Sequence, residues 1–385
     1  MPTPGTIDSH DVVIVGAGPA GSSAAIRLAR LGRSVLLVDK ADFPRHKLCG
    51  EFVSPECIDH LEELGVGAEL ACLDLPNNTR TVFYSSTGRS LRVANRWLAR
   101  NSRDSIGLSR FELDRILLEQ AQASGARIET SVSLVGTETA TDGRIRLRFR
   151  LADGTQRDTM TPVAIDATGR GRYLARNFDA KSSLSKPGQV AFKAHVRHAQ
   201  IEPGSCEIFS YPGGYGGCSA IEGGLSNLCF IVASELVRDI GNDPYMIFSS
   251  VLLKNQRAAQ VLAKVTVEGE WITVPIAGYG STDPAPAGGV FAVGDAAAFI
   301  DPFTGSGISM ALQSSKLLVD ALESNVDIAV MRKVYRQSHD AAFRRRLALC
   351  RRLRGLSRSP KLADIAIASL ARSSAVTRSL ARLTR

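Results

Sequence analysis

The chain has 385 residues, 44% hydrophobic and 22% charged, with seven cysteines and a net charge of +9. Such a composition excludes a disordered or collagen-like chain, and a body of this length holds its core without disulfides or a structural metal. The charge is uneven: residues 341–385 carry twelve Lys and Arg against one acid, Asp364, for +11, so the remainder carries −2 and a basic, nucleic-acid-binding body is excluded. The cysteine count is odd and no CxxC pair occurs, so no metal site, cluster or disulfide framework is expected. Reduced thiols of a cytoplasmic protein are the simpler reading. Met1 to His10 reads as no secretory leader, and no run of eighteen apolar residues predicts a spanning helix.

In chain order, Asp11 to Val15 reads as a buried strand, Ala20 to Leu31 as a helix and Ser34 to Asp39 as a second apolar strand. This is a β-α-β unit, the building block of parallel sheets, and it predicts an α/β fold. Its turn reads Gly16-Ala17-Gly18-Pro19-Ala20-Gly21. At GxGxxG spacing Gly16 permits the tight turn, Gly18 lets the backbone approach a pyrophosphate, and Gly21 allows close helix–strand contact. Asp39 ends the second strand, where a carboxylate accepts a hydrogen bond from an adenosine ribose; Lys40 follows it. At this point NAD and FAD are both open.

A loop rich in Pro, Lys, Cys and Gly runs to Pro55, and Glu56 to Leu64 is predicted helical. Thr81 to Val93 alternates like strands, and Arg110 to Ser124 is predicted helical. Arg127 to Leu151 reads as strands broken at an Asp142-Gly143 turn, and Val163 to Asp166 as a short buried strand. From Gly171 to Ile276 the β-α-β rhythm gives way to strand-like runs and glycine turns. The buried-strand pattern returns at Gly289 to Gly294, and a long helix follows Gly307. The chain thus leaves its first domain and comes back to it. The division reads as 1–75, 105–170 and 277–335 for the cofactor domain, 76–104 and 171–276 for a substrate domain, and 336–385 for a basic helical tail.

The segment Gly294-Asp295 through Pro302-Phe303-Thr304-Gly305-Ser306-Gly307 separates the two cofactors. It resembles the second FAD fingerprint of the flavoprotein family that includes aromatic hydroxylases, geranylgeranyl reductases and flavin halogenases. The resemblance implies a Rossmann-like, discontinuous FAD-binding domain with a parallel sheet, a mostly antiparallel substrate domain and non-covalent FAD. It places Asp295 on the ribityl hydroxyls. It passes the Pro302, Gly305, Ser306 loop beside the flavin ring, and aims the helix opened by Gly307 and Ile308 at the ring's pyrimidine edge. A helix N-terminus there stabilises the negative charge of reduced flavin. Leu108 to Asp114 is similar to the family's Arg-x-x-Leu-Asp segment, which implies Arg110 near the FAD phosphates or ribityl chain. Ile165 to Arg172 resembles the segment where hydroxylases carry Asp-Gly, which implies Asp166 and Gly169 near FAD. Ala167 follows Asp166 here, which puts docking of NADPH in doubt. The backbone near Leu134 is a further expected adenine contact.

The loop Phe43 to Pro55 contains Lys47, Cys49 and Gly50, and is similar to the Lys-x-Cys-Gly loop of the geranylgeranyl reductase-like branch, which lies along the flavin. Cys49 is a redox candidate only with a depressed pKa, and a packing thiol otherwise. Tyr211 to Ala220 looks like the reductase pattern Pro-x-x-Tyr-x-Trp-x-Phe-Pro, with Tyr215 as its tyrosine. Gly217, Ser219 and Ala220 replace its Trp, Phe and Pro, and the lost aromatics predict open space near the flavin. The two tryptophans, Trp97 and Trp271, do not sit in the halogenase Trp-x-Trp-x-Ile-Pro context, so halogenation is disfavoured. No nucleophile–base set is legible; Cys49, Tyr215 and His195 are the catalytic candidates, with His195 and His198 on opposite faces of a strand.

The resemblance implies an NADH- or NADPH-dependent monooxygenase that hydroxylates a hydrophobic biosynthetic small molecule through a flavin C4a-hydroperoxide. The alternatives are a reductase of prenyl or lipid double bonds and a non-catalytic, membrane-associated flavin-binding module. In the tail, Arg344 to Arg346, Arg351, Arg352 and Arg354 alternate with Leu347, Leu349, Leu353 and Leu356, and apolar positions continue at Leu362, Ile365, Ile367, Leu370 and Leu380. This fits a helix packed on the body, a partner surface, or a basic amphipathic helix on an anionic membrane. The absence of interleaved aromatics argues against nucleic acid.

Overall fold

The computed structural model describes residues 8–179, 187–357 and 360–384, with the side chains of 353–357 and 360–362 outside the description. Val12–Val15 is the middle strand of a five-stranded parallel sheet. The order is Val290–Ala292, Val163–Asp166, Val12–Val15, Val35–Val38, Arg127–Glu129. The two strands of the β-α-β unit read VVIV and VLLV, and every residue in them is buried. Both faces of the sheet are covered, which is why these strands are continuously apolar rather than alternating.

One face carries helices α1 (Pro19–Arg30), α2 (Arg110–Ala123) and α3 (Gly307–Glu323), packed over Val12, Ile14, Val35 and Leu37. Helices α1 and α3 touch through a buried Ser23 Oγ–Ser315 Oγ hydrogen bond of 2.7 Å. On the other face, Ile145, Leu147 and Phe149 of a four-stranded sheet cover Val13, Leu36 and Val38. The Asp142-Gly143 turn joins two strands of that sheet, Ser133–Thr139 and Ile145–Arg150.

A second, seven-stranded sheet is built from two stretches of chain. Its order is Thr266–Ile276, Gln189–Arg197, Ser226–Ala233, Gly214–Ala220, Ser205–Tyr211, Arg80–Tyr84, Ser90–Ala94. All its pairs are antiparallel except Ser205–Tyr211 with Arg80–Tyr84. Its outer face buries Phe192, Phe209, Tyr211 and Phe230 under short helices that contribute Val237, Ile247 and Val261. Its inner face presents Ala191, Tyr215 and Ile231, packed with Tyr279, Phe299 and Phe303. Period-two alternation splits the aromatics to the outer core and leaves a thinner inner wall.

The chain closes with α4 (Ile328–Ser357), α5 (Pro360–Leu370) and α6 (Ser374–Leu383). The sequence division at 335/336 falls inside α4, a continuous 30-residue helix. Tyr335, just before that point, is fully buried and donates its hydroxyl to the Ala292 carbonyl at 2.7 Å, so α4 is anchored to the parallel sheet at the expected boundary. Phe343, Leu347 and Cys350 continue the contact against Ala298, Ile300 and Met310. Of the basic stretch, the side chains of Leu353, Arg354, Leu356 and Leu362 lie outside the described residues. Among the described residues no helix is long and apolar enough to cross a membrane.

Candidate functional site

The glycine turn packs tightly. Gly16 has φ +107°, and a Cβ there would stand 2.3 Å from the Ala167 carbonyl oxygen. A Cβ on Gly21 would stand 1.9 Å from the Gly16 carbonyl oxygen. Both positions therefore demand glycine, and they clamp α1 and the Val163–Asp166 strand end against the turn. Gly18 faces Arg110: a Cβ on it would lie 3.4 Å from Arg110 Nη2. Neither α1 nor α3 has a side-chain hydrogen bond at its N-cap, and such a helix start suits an anionic ligand. Gly294 abuts Ala20 and donates its N–H to Ser314 Oγ at 2.8 Å, which brings the second motif to the start of α1. Pro19 and Ala20 form the first turn of α1, and Gly307 and Ile308 that of α3.

Cations surround this turn. Arg110 Nε and Nη2 each donate to buried Asp114 at 2.7 Å, which holds the guanidinium at Gly18. Burial opposes its charge, but Asp114 more than offsets that, and its pKa is raised. Arg45 stands 3.5 Å from Asp39 and 3.4 Å from Asp114, with its Nε buried and without a hydrogen-bond partner. Lys47 is pushed down to about 8, first by burial and then by Arg45 and Arg110. Crowded cations with an unspent buried donor fit a polyanion such as a pyrophosphate. Lys40 sits 5.4 Å over the Tyr173 ring, and its side chain is exposed.

Asp295 has no hydrogen-bond partner among the described residues; burial raises its pKa against the pull of Arg170, Arg110 and Lys47. A half-buried carboxylate so placed suits hydroxyl donors from a bound ligand. Asp39 has its oxygens engaged by the N–H groups of Ala17 (2.8 Å) and Ala41 (2.9 Å), so it also braces the turn. Leu134 is half-buried at a register shift, two residues beyond Val132, whose N–H donates to the Asp39 carbonyl.

Asp166 has its side chain engaged within its own loop. It is fully buried, and its carboxylate accepts from Thr168 N and Oγ1, Leu174 N and Ala175 N at 2.6–3.0 Å. The side chain is spent on its own loop, and Gly169, at φ +74°, is a turn residue of that loop. Half-buried Cys49 has its pKa pushed up by burial, the opposite of the depressed value that a redox role requires, and its sulfur accepts the Glu51 N–H at 3.3 Å. Gly50 lines the open side of this loop, with nothing within 4 Å of a Cβ.

His195 turns to a partner that no local pattern predicts. Its Nε2 lies 2.7 Å from Glu51 Oε2, and Lys193 Nζ donates to Glu51 Oε1 and, at 3.1 Å, to the Lys47 carbonyl. The Arg110 N–H also donates to Glu51 Oε1 at 2.8 Å. All three side chains are buried, and Glu51 holds a left-handed backbone, φ +52°. Burial alone would raise the Glu51 pKa; the His195 hydrogen bond and the Lys193 charge reverse this and hold it below the usual carboxylate range. The His46 ring packs edge-on to His195 at 5.3 Å, and burial with the charges of His195 and Lys193 lowers its pKa. His198 is exposed.

Tyr215 ties the second sheet to the 301–307 loop. Its hydroxyl donates to Asp301 Oδ1 at 2.6 Å, and the same oxygen accepts the Phe303 N–H at 3.0 Å. Burial and the Asp301 charge hold the phenol protonated. Phe303 stands edge-on to Tyr215 at 5.1 Å and beside Phe83 at 5.5 Å. Pro302 begins the single turn after Asp301, and Gly305 ends it at φ +63°, against Phe52. The space expected at Gly217 is filled: a Cβ there would stand 2.8 Å from Ile208 Cδ1. An aliphatic side chain from the neighbouring strand has taken the place of the missing aromatic.

Arg45, Glu51, Lys193 and Asp301 went unassigned in the sequence. A Lys and a His two apart in an apolar strand signal buried charge that needs a partner. The partner, 142 residues away, is set by tertiary structure alone. Among the described residues no cluster of His, Cys, Asp or Glu could hold a metal.

The comparisons agree with this geometry. The family model described as FAD binding domain matches residues 9–332. The chain is 29% identical to a menaquinone reductase of Mycobacterium tuberculosis over 332 residues, covering 82% of this chain and 77% of that protein. It is 27% identical to a digeranylgeranylglycerophospholipid reductase of Methanosarcina mazei, covering 85% and 80%. The fold is shared with a geranylgeranyl bacteriochlorophyll reductase-like protein from Thermoplasma acidophilum, with TM-score 0.81, 20% identity and coverage of 98% and 96%. A flavin-dependent brominase matches with the same TM-score at 17% identity, covering 98% and 93%. The chain therefore belongs to the FAD binding domain family, a family of FAD-dependent oxidoreductases that includes reductases and halogenases.

Proposed function

We propose that this protein is an FAD-dependent reductase of a hydrophobic, polyprenyl-type lipid, with NADH or NADPH as electron donor. The observation that carries the reading is the state of the polar groups on the inner wall. Tyr215 is spent on Asp301, and Lys193 and His195 on Glu51, so the wall toward the 301–307 loop is left to Phe83, Ile208, Ile231 and Phe303. Such a wall accepts an apolar chain, and its Tyr, Lys and His side chains are already paired within the protein rather than left to orient an aromatic ring for hydroxylation. The names of the similar menaquinone and digeranylgeranylglycerophospholipid reductases support the same substrate class.

Arg110, Arg45, Lys47 and the first turn of α1 would hold the pyrophosphate, Asp295 the ribityl hydroxyls, and the 302–307 loop would flank the ring. FAD bound there supplies the two-electron chemistry. In balance, one hydride from NAD(P)H and one proton from solvent add across a double bond of the lipid, and NAD(P)+ leaves. The protein's own part is to bind, to orient and to exclude water.

The test is anaerobic mixing of the loaded protein with NADH or NADPH and then with a polyprenyl quinone or prenyl lipid. The expected result is bleaching of the flavin by the nucleotide, reoxidation by the lipid without oxygen, and a product heavier by H2. Reoxidation by oxygen alone, with an oxygen atom found in the product, would establish hydroxylation instead. A flavin that no donor and no lipid turns over would leave a binding module.

A further inference from the structure

Helix α6 is built with its apolar side chains reversed. The face that meets the body buries small residues, Thr377, Ala381 and Thr384. Two of its three large aliphatics point away: Val376 is 55% exposed and Leu383 61%, while Leu380 is half-buried; Ile365 on α5 is 63% exposed. Val376, Ser379 and Leu383 share one helical stripe, and Arg378 and Arg382 lie one turn apart beside it. Arg372, Arg378 and Arg382 are all exposed, as are Arg344, Arg345, Arg351 and Arg352 on α4. The one acid after residue 341, Asp364, accepts the Thr87 hydroxyl at 2.7 Å. An aliphatic stripe bordered by exposed arginines matches the interface of an anionic bilayer, where apolar side chains sink and cations meet headgroups.

The position of this surface matters as much as its composition. The Thr384 carbonyl accepts from Ser306 Oγ at 3.4 Å, so the end of α6 sits on the 302–307 loop. Arg378 stacks 4.9 Å over Trp97, and Ile367 and Ala381 pack with Leu91, Val93 and Phe83, the last beside Phe303. The α5–α6 pair therefore covers the apolar wall on one side and shows aliphatic and basic groups on the other.

We infer that α5 and α6 form a docking surface for an anionic phospholipid bilayer, which sets the mouth of the site against the phase that carries the substrate. The inference deepens the lipid-reductase reading and takes its purpose from it, but its test involves no turnover.

The test is co-sedimentation of the full chain with vesicles of phosphatidylglycerol and phosphatidylcholine in equal parts, and with phosphatidylcholine alone, at low and high salt. Binding is expected to the anionic vesicles, at least roughly tenfold weaker to neutral ones, and to fall with salt. Arg372→Gln with Arg382→Gln should weaken it about 30-fold, since each cation near an anionic surface contributes about a factor of five. Val376→Asn with Leu383→Asn should weaken it by a similar order. These side chains are exposed, so bound FAD and circular dichroism should match the parent and exclude misfolding as the cause. Equal binding to neutral vesicles, no binding to either, or native double variants that bind like the parent would each overturn the inference. Reduction of detergent-dispersed lipid would then still stand or fall separately.

Discussion

Glu51 has the most consequential single environment in the molecule, because one buried carboxylate serves Lys193, His195 and the backbone of Arg110. Breaking a buried ion pair leaves an uncompensated charge and costs about 3–5 kcal/mol. Glu51→Gln should lower unfolding stability by that order in urea titrations, and adding Lys193→Met should restore part of it. Additive losses would show that the two are not coupled. The Glu51 pKa lies below its ordinary value in the folded state. Its contribution is therefore complete above the usual carboxylate range and is lost as pH falls through the folded pKa. The parent should show an acid loss of stability that Glu51→Gln lacks.

Asp295 presents the opposite sign. Burial raises its pKa, so the empty protein holds a disfavoured charge at neutral pH, and stability falls as pH rises through the folded pKa. Asp295→Asn should raise the melting temperature of the FAD-free protein while it weakens FAD retention, and Asp295→Ala should weaken retention further. Unchanged flavin content would remove this residue from the site. Arg110→Met should weaken FAD binding roughly 10- to 100-fold, read by fluorescence titration.

At the scale of elements, the glycine turn and the 301–307 loop are brought together by α1 and α3, which lie side by side with their N-termini at one end of the parallel sheet. The loop is held from the other side by a strand of the second sheet, through Tyr215 and Asp301. Tyr215→Phe leaves a buried acceptor short of a partner and should cost about 1–3 kcal/mol. It should also shift the absorbance of bound flavin, as the loop beside the ring loses its tie. A variant with normal stability and an unchanged flavin spectrum would deny Tyr215 this positioning role.

Across the whole molecule, the cation-lined recess and the open helix N-termini make the FAD-free protein the less stable form. The purified chain should be yellow, and excess free FAD at about a thousand times its Kd should add about 4 kcal/mol of stability. Calorimetry with and without FAD measures this directly, and a colourless protein with no thermal shift would sink the cofactor assignment.

The sequence by itself determined the local chemistry: the β-α-β unit, the glycines at 16, 18 and 21, the Gly294-Asp295 motif and the basic character of the last forty-five residues. Those features are legible because they depend on neighbours within a few residues: strand periodicity, turn conformation and helix N-termini. Only the tertiary structure decided that Asp166 is consumed by its own loop, that Ile208 fills the space at Gly217, and that Glu51 pairs with Lys193 and His195. Each of those outcomes depends on side chains meeting across sheets or over more than a hundred residues, or on a loop folding back on itself, and no local period encodes such contacts. The tail shows both parts at once. Its composition announced a basic helix, while the placement of α6 on the 302–307 loop decided which of its faces is left to the outside.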